Sequence, residues 1–327
     1  MRILTKNEYE SLEYLLSLTQ EKLLTVMTKV LIKTYGKDKV LSTNDYIMVQ
    51  GEIPVALVAH LDTVFKYPVM DLYYDRTKNV LWSPDGLGTD DRAGVFCIIQ
   101  LLKEGYRPWI ILTTDEECGG LGARILIEEQ QAPPVNFLIE LDRQGNNECV
   151  FYQCGNVDFQ NYITSFGFEK SIGTFSDISI LMPSWKLCGV NLSIGYYDEH
   201  TYTELFNLEA FWNTYDQLKE LLQQESFPTF EYISQPLRFT SLYNYLEDDV
   251  CDKCHKSCLS EEIFAVKGGD GLTKMYCSNC IASGVDWCAT CCEPYEITEE
   301  NINRPNMCDD CWEAKCGKFE CDQTANA

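Results

Sequence analysis

His60 and His200 are two of only three histidines in the 327 residues, and both stand beside carboxylates, in AHLDTV and YYDEHTYTE. Between them the chain carries Asp90 and Asp91 in GLGTDDRAG, Glu116 and Glu117 in TTDEECGGLGA, and Asp142 in IELDR. Acidic groups at the ends of apolar runs are costly to bury unless something cationic compensates them. A pair of divalent metals held by imidazole and carboxylate would do so. Each signal alone has a plainer reading. A His at a strand end is commonly structural, an Asp-Asp pair commonly caps a turn or helix, and a Glu-Glu pair commonly lies on a solvated face. The ordered recurrence of His, Asp, Glu-Glu, Asp and His is what points to metal-dependent chemistry.

The elements that must position these groups are legible from periodicity. Residues 8–33 carry leucine and valine at three- and four-residue spacings and read as one or two amphipathic helices. Pro54–Val64, Trp109–Thr114 and Asn136–Asp142 are near-continuous apolar runs, as expected of strands buried on both faces. Helical patterning over Arg92–Glu104 and Leu121–Gln130 alternates with them, and a last helix is expected over Glu204–Gln224. Such alternation implies a doubly wound, mostly parallel α/β sheet, whose binding groups gather at the carboxyl ends of the strands. The candidate residues sit there.

On these residues the chain resembles the co-catalytic di-zinc exopeptidases, the superfamily of bacterial leucyl aminopeptidase, peptidase T and the carboxypeptidase G type enzymes. The resemblance covers roughly residues 50–225. HLDTV is similar to the family's H-x-D segment, and GTDDRAG to its G-x-D-D-K-x-G segment, with Arg92 where the pattern has lysine. EECGGLGA fits E-E-x-G-x-x-G-A at every fixed position, HTYTE resembles the terminal H-T-x-x-E, and Ser176-Asp177 resembles a further S-D segment near the substrate cleft.

The resemblance implies a catalytic pair of Zn2+ ions, although mixed His/carboxylate sites also accept Co2+ or Mn2+. His60, Asp90 and Glu117 would bind one side of the pair, with Asp90 bridging, and Asp142 and His200 would complete it. Glu116 would be the general base, and Asp62 would orient His60 by accepting its second ring N–H. The Asp90–Asp91 peptide would be cis. The stretch from Asp142 to His200 is too short for the dimerisation domain of the carboxypeptidase-like branch, which leaves the aminopeptidase branch. Gly119, Gly120 and Gly122 would permit a tight exit into the next helix. Tyr196, Tyr197, Asp198 and Glu199 could line the substrate side, but are expected to form a polar loop.

The 17 cysteines are unevenly placed, with twelve of them in residues 251–321. Four C-x2-C pairs, Cys251/Cys254, Cys277/Cys280, Cys288/Cys291 and Cys308/Cys311, point to two structural Zn(Cys)4 sites. Sequential pairing is expected over a cross-braced one. Cys258, Cys292, Cys316, Cys321 and His255 are left over and could substitute in either site. The expected organisation is a di-metal hydrolase domain over 1–228, a linker over 229–250, a zinc-finger domain over 251–321 and a tail over 322–327. Thiolate sites of this kind, and an N-terminus that does not read as a signal peptide, suggest a reducing, cytoplasmic setting.

Charge bounds the partners. The balance of 26 Lys+Arg against 50 Asp+Glu gives −24 overall, and residues 251–327 hold seven basic against fourteen acidic groups. Such a surface repels phosphate backbones and anionic lipid, so nucleic acid and membranes are poor partners. No apolar run approaches the ~18 residues that span a bilayer. The first expectation is therefore a cytoplasmic metallopeptidase of aminopeptidase type, acting on a peptide or small amide, with a zinc-finger tail available to a protein partner. The alternatives are an inactive hydrolase-like scaffold serving as an adaptor, or a deacylase using the same di-metal site.

Overall fold

The computed structural model describes residues 2–235 and, beyond them, six short strands. The chain divides into two units, Met1–Gln235 and Pro236–Ala327. In the first, α1 (Lys6–Leu16) and α2 (Gln20–Tyr35) account for the expected N-terminal helical stretch. Thr5 and Glu8 form a reciprocal capping box that starts α1. Leu12, Leu15 and Leu16, then Leu23, Met27 and Leu31, are the buried stripe, at the spacing that puts one helix face on a core.

The main sheet contains β1 (Val40–Ser42), β2 (Tyr46–Val49), β3 (Ile53–His60), β6 (Pro108–Thr113), β7 (Phe137–Arg143), β8 (Glu148–Val150), β9 (Glu169–Lys170) and β10 (Gly189–Ser193). Their order is β1-β2-β6-β3-β7-β10-β8-β9. The central four, β6, β3, β7 and β10, are mutually parallel; β2 and β8 join them antiparallel on either side, with β1 antiparallel to β2 and β9 parallel to β8. From Val55 to His60 every residue of β3 is buried, so both faces of the sheet are covered. A smaller sheet of β4 (Tyr73–Asp75), β5 (Val80–Trp82), β11 (Tyr196–Tyr197) and β12 (Leu205–Asn207) runs in the order β11-β12-β5-β4.

The crossovers explain the coverage. The path β3, α3 (Thr89–Lys103), β6 steps one way along the sheet, whereas β6, α4 (Leu121–Glu129), β7 steps back past β3. Right-handed connections in opposite directions place α3 and α4 on opposite faces. The reversal occurs at β3, and the carboxyl ends of β6, β3 and β7 meet there, where an open α/β sheet gathers its binding groups. The remaining helices are α5 (Val157–Thr164), α6 (Asp177–Trp185) and α7 (Leu208–Leu222). Helix α7 begins four residues later than its apolar pattern suggests, because the Asn207 side chain accepts the N–H groups of Glu209 and Ala210 and caps it there.

Residues 229–235, expected to open a linker, instead strap the first unit. Phe230 packs against Phe137, Phe159 and Tyr162, with ring centroids 6.2, 5.2 and 5.5 Å away. Gly155 and Gln235 complete the attachment with backbone hydrogen bonds to Ile233 and Gln153. Beyond, Asp249–Val250 pairs with Ser257–Cys258, Ile263–Lys267 with Thr273–Cys277, and Val285–Trp287 with Pro294–Glu296, all antiparallel. Among the described residues, no helix is long and apolar enough to cross a membrane.

Candidate metal centre

His60 is the last residue of β3, and its ring is fixed at both nitrogens. Nδ1 lies 3.0 Å from Asp62 Oδ1, while Nε2 lies 3.0 Å from Asp90 Oδ1 and 3.4 Å from Asp142 Oδ1. The parallel register of β3 with β7 pairs Val58 with Glu140. Two residues on, that register sets His60 level with Asp142. Asp62 also accepts the backbone N–H groups of Glu116 and Glu117, at 3.1 and 3.0 Å. One carboxylate thus holds the His60 ring and the turn after β6 together.

Asp90 and Asp91 have opposite tasks. Both stand at the start of α3 with non-helical backbone angles, joined by a cis peptide bond. Asp90 faces the two imidazoles, with Oδ2 3.2 Å from His200 Nε2. Asp91 turns away and accepts the N–H groups of His60, at 3.2 Å, and Gly94, at 2.8 Å. Gly94 is required here, because a Cβ would sit 2.6 Å from the Asp91 carboxylate and 2.6 Å from the Leu141 carbonyl oxygen. His200, at φ 62° on a loop, reaches Glu117 Oε2 at 2.9 Å.

Three groups of donors result, each with its atoms within 4.8 Å of one another: His60, Asp90 and Asp142; Asp90, Glu117 and His200; and His60, Glu116 and Glu117. The expected partition, with His60 and Glu117 sharing one side of Asp90, differs from the first two. His60 goes with Asp142 because their strands are neighbours, and Glu117 goes with His200 across the mouth. The structure brings together all seven residues singled out in the first unit, His60, Asp62, Asp90, Glu116, Glu117, Asp142 and His200. Of the cysteines singled out, Cys251, Cys254, Cys280, Cys288, Cys291, Cys308 and Cys311 lie outside the described residues. Cys277 ends a described strand, but its side chain lies outside the description.

Further residues complete the centre. Tyr196, expected in a polar loop, is instead buried in β11 and donates its hydroxyl to Asp142 Oδ1 at 3.0 Å. Asn191 grips the Asp142 backbone, accepting its N–H at 2.9 Å and donating to its carbonyl at 2.6 Å. Ser176 lies 3.0 Å from Asp142 Oδ2 and also bonds Glu140, while the Asp177 carboxylate accepts the Thr113 hydroxyl. Glu204 is 1% exposed and accepts from Gly88 N–H at 2.8 Å, Thr89 N–H and hydroxyl at 2.6 Å each, and Asp90 N–H at 3.2 Å. Alternation along β7 could have pointed to Glu140, two residues before Asp142 on the same face. Glu204 closes the HTYTE motif, but Asn191 carries no local signal.

The electrostatics are those of an acidic pit. Burial, reinforced by Asp90, pushes the Asp142 carboxyl up to about 7. Burial pushes Glu116 up to about 9; His60 opposes this, whereas Asp142, Asp177 and Glu117 add to it. Burial works against protonating His60, yet the Asp142 and Asp62 carboxylates hold it well above its ordinary value. Hydrogen bonds to Asp90 and Glu117 lift His200 to about 11. Among the described residues, no lysine or arginine forms an ion pair with any of these carboxylates. A donor set of two imidazoles and several buried carboxylates without a basic partner fits a divalent cation in its chemistry and its charge.

Matched by three-dimensional structure, the chain is similar to aminopeptidase PepT from Bacillus cereus, with TM-score 0.52 and 14% identity over 67% of this chain and 98% of that one. A tripeptidase from Staphylococcus aureus gives 0.52 and 13% over 68% and 98%. A TET aminopeptidase from a marine sediment archaeon (Thaumarchaeota) gives 0.55 and 11% over 68% and 98%. These likenesses are likenesses of fold. No protein-family model matches the sequence, and no curated protein matches it.

Proposed function

We propose that this chain, which has the fold of those aminopeptidases and an acidic pit at the switch point of its own sheet, is a metal-dependent hydrolase of peptide bonds, aminopeptidase-like. The observation that carries the reading is the convergence of His60, Asp90, Glu117, Asp142 and His200 into two donor groups that share Asp90, with no lysine or arginine ion-paired to them among the described residues. His60, Asp90 and Asp142 would hold one cation, and Asp90, Glu117 and His200 the other. Zinc suits these ligands, as do cobalt and manganese. Two such ions when bound lower the pKa of an enclosed water and polarise the scissile carbonyl.

The remaining work falls to the chain itself. Glu116, which is 8% exposed and adjoins both donor groups, would take the proton of the attacking water and pass it to the leaving amine. Asp62 keeps the His60 ring oriented and Nδ1 protonated, which leaves Nε2 free to act as a donor atom. Ser176 and Tyr196 fix the Asp142 carboxylate, and Glu204 holds the loop that presents Asp90. The C-x2-C spacing of the second unit supports two structural zinc ions there, in a tail suited to a protein partner. Replacing Glu116 by Gln tests the mechanism: cation uptake should persist while turnover of aminoacyl substrates falls by roughly 10²–10⁴-fold. Full activity in that variant would defeat the assignment of Glu116.

A further inference from the structure

Cys154 and Cys188 are fully buried, and both are free thiols. Cys154 follows β8 and Cys188 precedes β10, and the antiparallel pairing of those strands, with Asn191 opposite Val150, returns the two segments to each other. There the Cys188 thiol hydrogen-bonds the Cys154 sulfur. The strap of residues 229–235 lies against both. Ser234 pairs with Cys154 in an antiparallel bridge, and the Cys188 thiol also reaches the Glu231 carbonyl oxygen, with Sγ at 3.3 Å. Asn156 Nδ2 donates to the same oxygen at 2.8 Å. Gly155 lets the strap come this close, since a Cβ there would stand 2.8 Å from Gln235 Cβ. The strap itself is thin: Glu231, Ile233 and Ser234 are exposed.

The pair is chemically unlike the other buried thiols of the first unit. Burial pushes Cys97 and Cys149 up, as is usual for a thiol in a core. At Cys154 the Cys188 contact, joined by the backbone N–H groups of Asn156 and Gly189, outweighs burial and holds the thiol down to about 7. Near neutral pH Cys154 therefore supplies the thiolate, the form that attacks an oxidant, and a second thiol stands in contact to resolve the product. Local opening of so thin a cover admits a small oxidant. A disulfide, with its sulfurs ~2.05 Å apart, has no S–H, so its formation takes from the Glu231 carbonyl one of the bonds that hold the strap.

We propose that Cys154 and Cys188 are a peroxide-sensitive dithiol, and that their oxidation to a disulfide unfastens the strap that leads into the second unit. The Cys154 thiolate attacks one oxygen of hydrogen peroxide and breaks the O–O bond, giving a sulfenic acid and hydroxide. The Cys188 sulfur then displaces the sulfenic oxygen, which leaves as water with the Cys188 proton, and the S–S bond forms. The two sulfurs give up two electrons, and the peroxide ends as two waters once the hydroxide takes a proton from solvent. A dithiol reductant returns both thiols. None of these steps involves the metal centre.

The test treats the full-length, zinc-loaded protein with hydrogen peroxide, alkylates the remaining thiols and digests without reduction. Mass spectrometry should find Cys154 linked to Cys188, and the link should vanish after dithiothreitol. Hydrogen exchange of the segments around Gly155 and Gln235, which bond the strap, should quicken by roughly 2–10-fold on oxidation, the worth of one lost hydrogen bond. Cys154→Ser carries the same cysteines in the second unit but cannot form the link, so peroxide should leave its strap exchange unchanged. Cys188→Ala should exchange at the faster rate before any peroxide is added, whereas Cys188→Ser keeps a hydroxyl donor for Glu231 and should match the reduced wild type. Recovery of Cys154 and Cys188 as alkylated thiols after peroxide would overturn the proposal. So would a Cys154–Cys188 disulfide that leaves strap exchange unchanged, or a Cys154→Ser strap that peroxide loosens as much as wild type.

Discussion

Glu204 forms no hydrogen bond with a candidate donor atom, yet removing it should unsettle the centre. Its two oxygens accept four hydrogen bonds from three consecutive residues, Gly88, Thr89 and Asp90. Glu204→Ala strands three backbone N–H groups and a hydroxyl in a buried site. An abandoned buried donor costs ~1–3 kcal/mol, and water entering the vacated space recovers part of that, so about 3–4 kcal/mol is expected in all. Glu204→Gln is milder. A carbonyl oxygen in place of Oε1 keeps the bonds from Thr89 and Asp90, and only the Gly88 N–H meets an amide NH2, at a cost of roughly 1–2 kcal/mol. For a unit of this size each kcal/mol is worth ~2–4 °C in Tm, so the alanine variant should melt roughly 6–16 °C lower. Isothermal titration should show metal affinity falling about 10–100-fold, since the loop that aims Asp90 has lost its anchor. Thermal and urea unfolding of the metal-free protein read the first quantity, and zinc titration reads the second. An alanine variant within about 0.5 kcal/mol of wild type, or a glutamine variant as damaged as the alanine, would refute the reasoning.

Other expectations follow from the same contacts. Purified His60→Ala/His200→Ala protein should hold up to two fewer metal equivalents than wild type by elemental analysis. Tyr196→Phe removes one bond to Asp142 while Ser176 keeps another, so metal affinity or kcat/KM should fall about 10-fold rather than collapse. Gly94→Ala forces a methyl against the Asp91 carboxylate and the Leu141 carbonyl, and should cost roughly 1–3 kcal/mol in urea unfolding. In the metal-free protein Asp142, Asp177 and Glu116 have folded-state values raised to about 7, 6 and 9, and His200 to about 11. The folded state therefore holds more protons than the unfolded state between pH 6 and 8, and stability should fall as pH rises through that window. The lowered Asp62 and Asp90 carboxyls are ionised in both states there and leave the slope unchanged. Equal urea midpoints at pH 6 and pH 8 would contradict this.

Strands β3, β6 and β7 were legible because burial on both faces demands an unbroken apolar run, a pattern that survives without any knowledge of neighbours. The cluster of acids at their ends was legible for the same reason, since an acid directly after such a run needs an explanation. The pairing of donors was not. Whether His60 shares a cation with Glu117 or with Asp142 depends on β3 lying between β6 and β7, and strand order is a property of the sheet rather than of a segment. Tyr196 reads as polar loop from YYDEH, yet its two-residue strand is made by pairing with Leu205 and Phe206. Residues 229–235 look like linker because their composition is mixed and Pro228 and Pro236 flank them, and only the rings of Phe137, Phe159 and Tyr162 give Phe230 its place. The start of α7 turned on Asn207, one side chain in a run otherwise suited to continuing the helix.

His200 differs from the other donors in a way that bears on rates. The His60 side chain is 1% exposed and those of Asp90 and Asp142 10% and 8%, whereas that of His200 is 51% exposed and rides on a loop rather than a strand. A cation held by the first three would sit among nearly buried side chains, whereas one held through His200 would have a ligand open to water. The two positions should therefore exchange at different speeds: a chelator would strip the outer ion first, leaving a half-loaded protein, and a second metal offered at that moment would give a mixed pair.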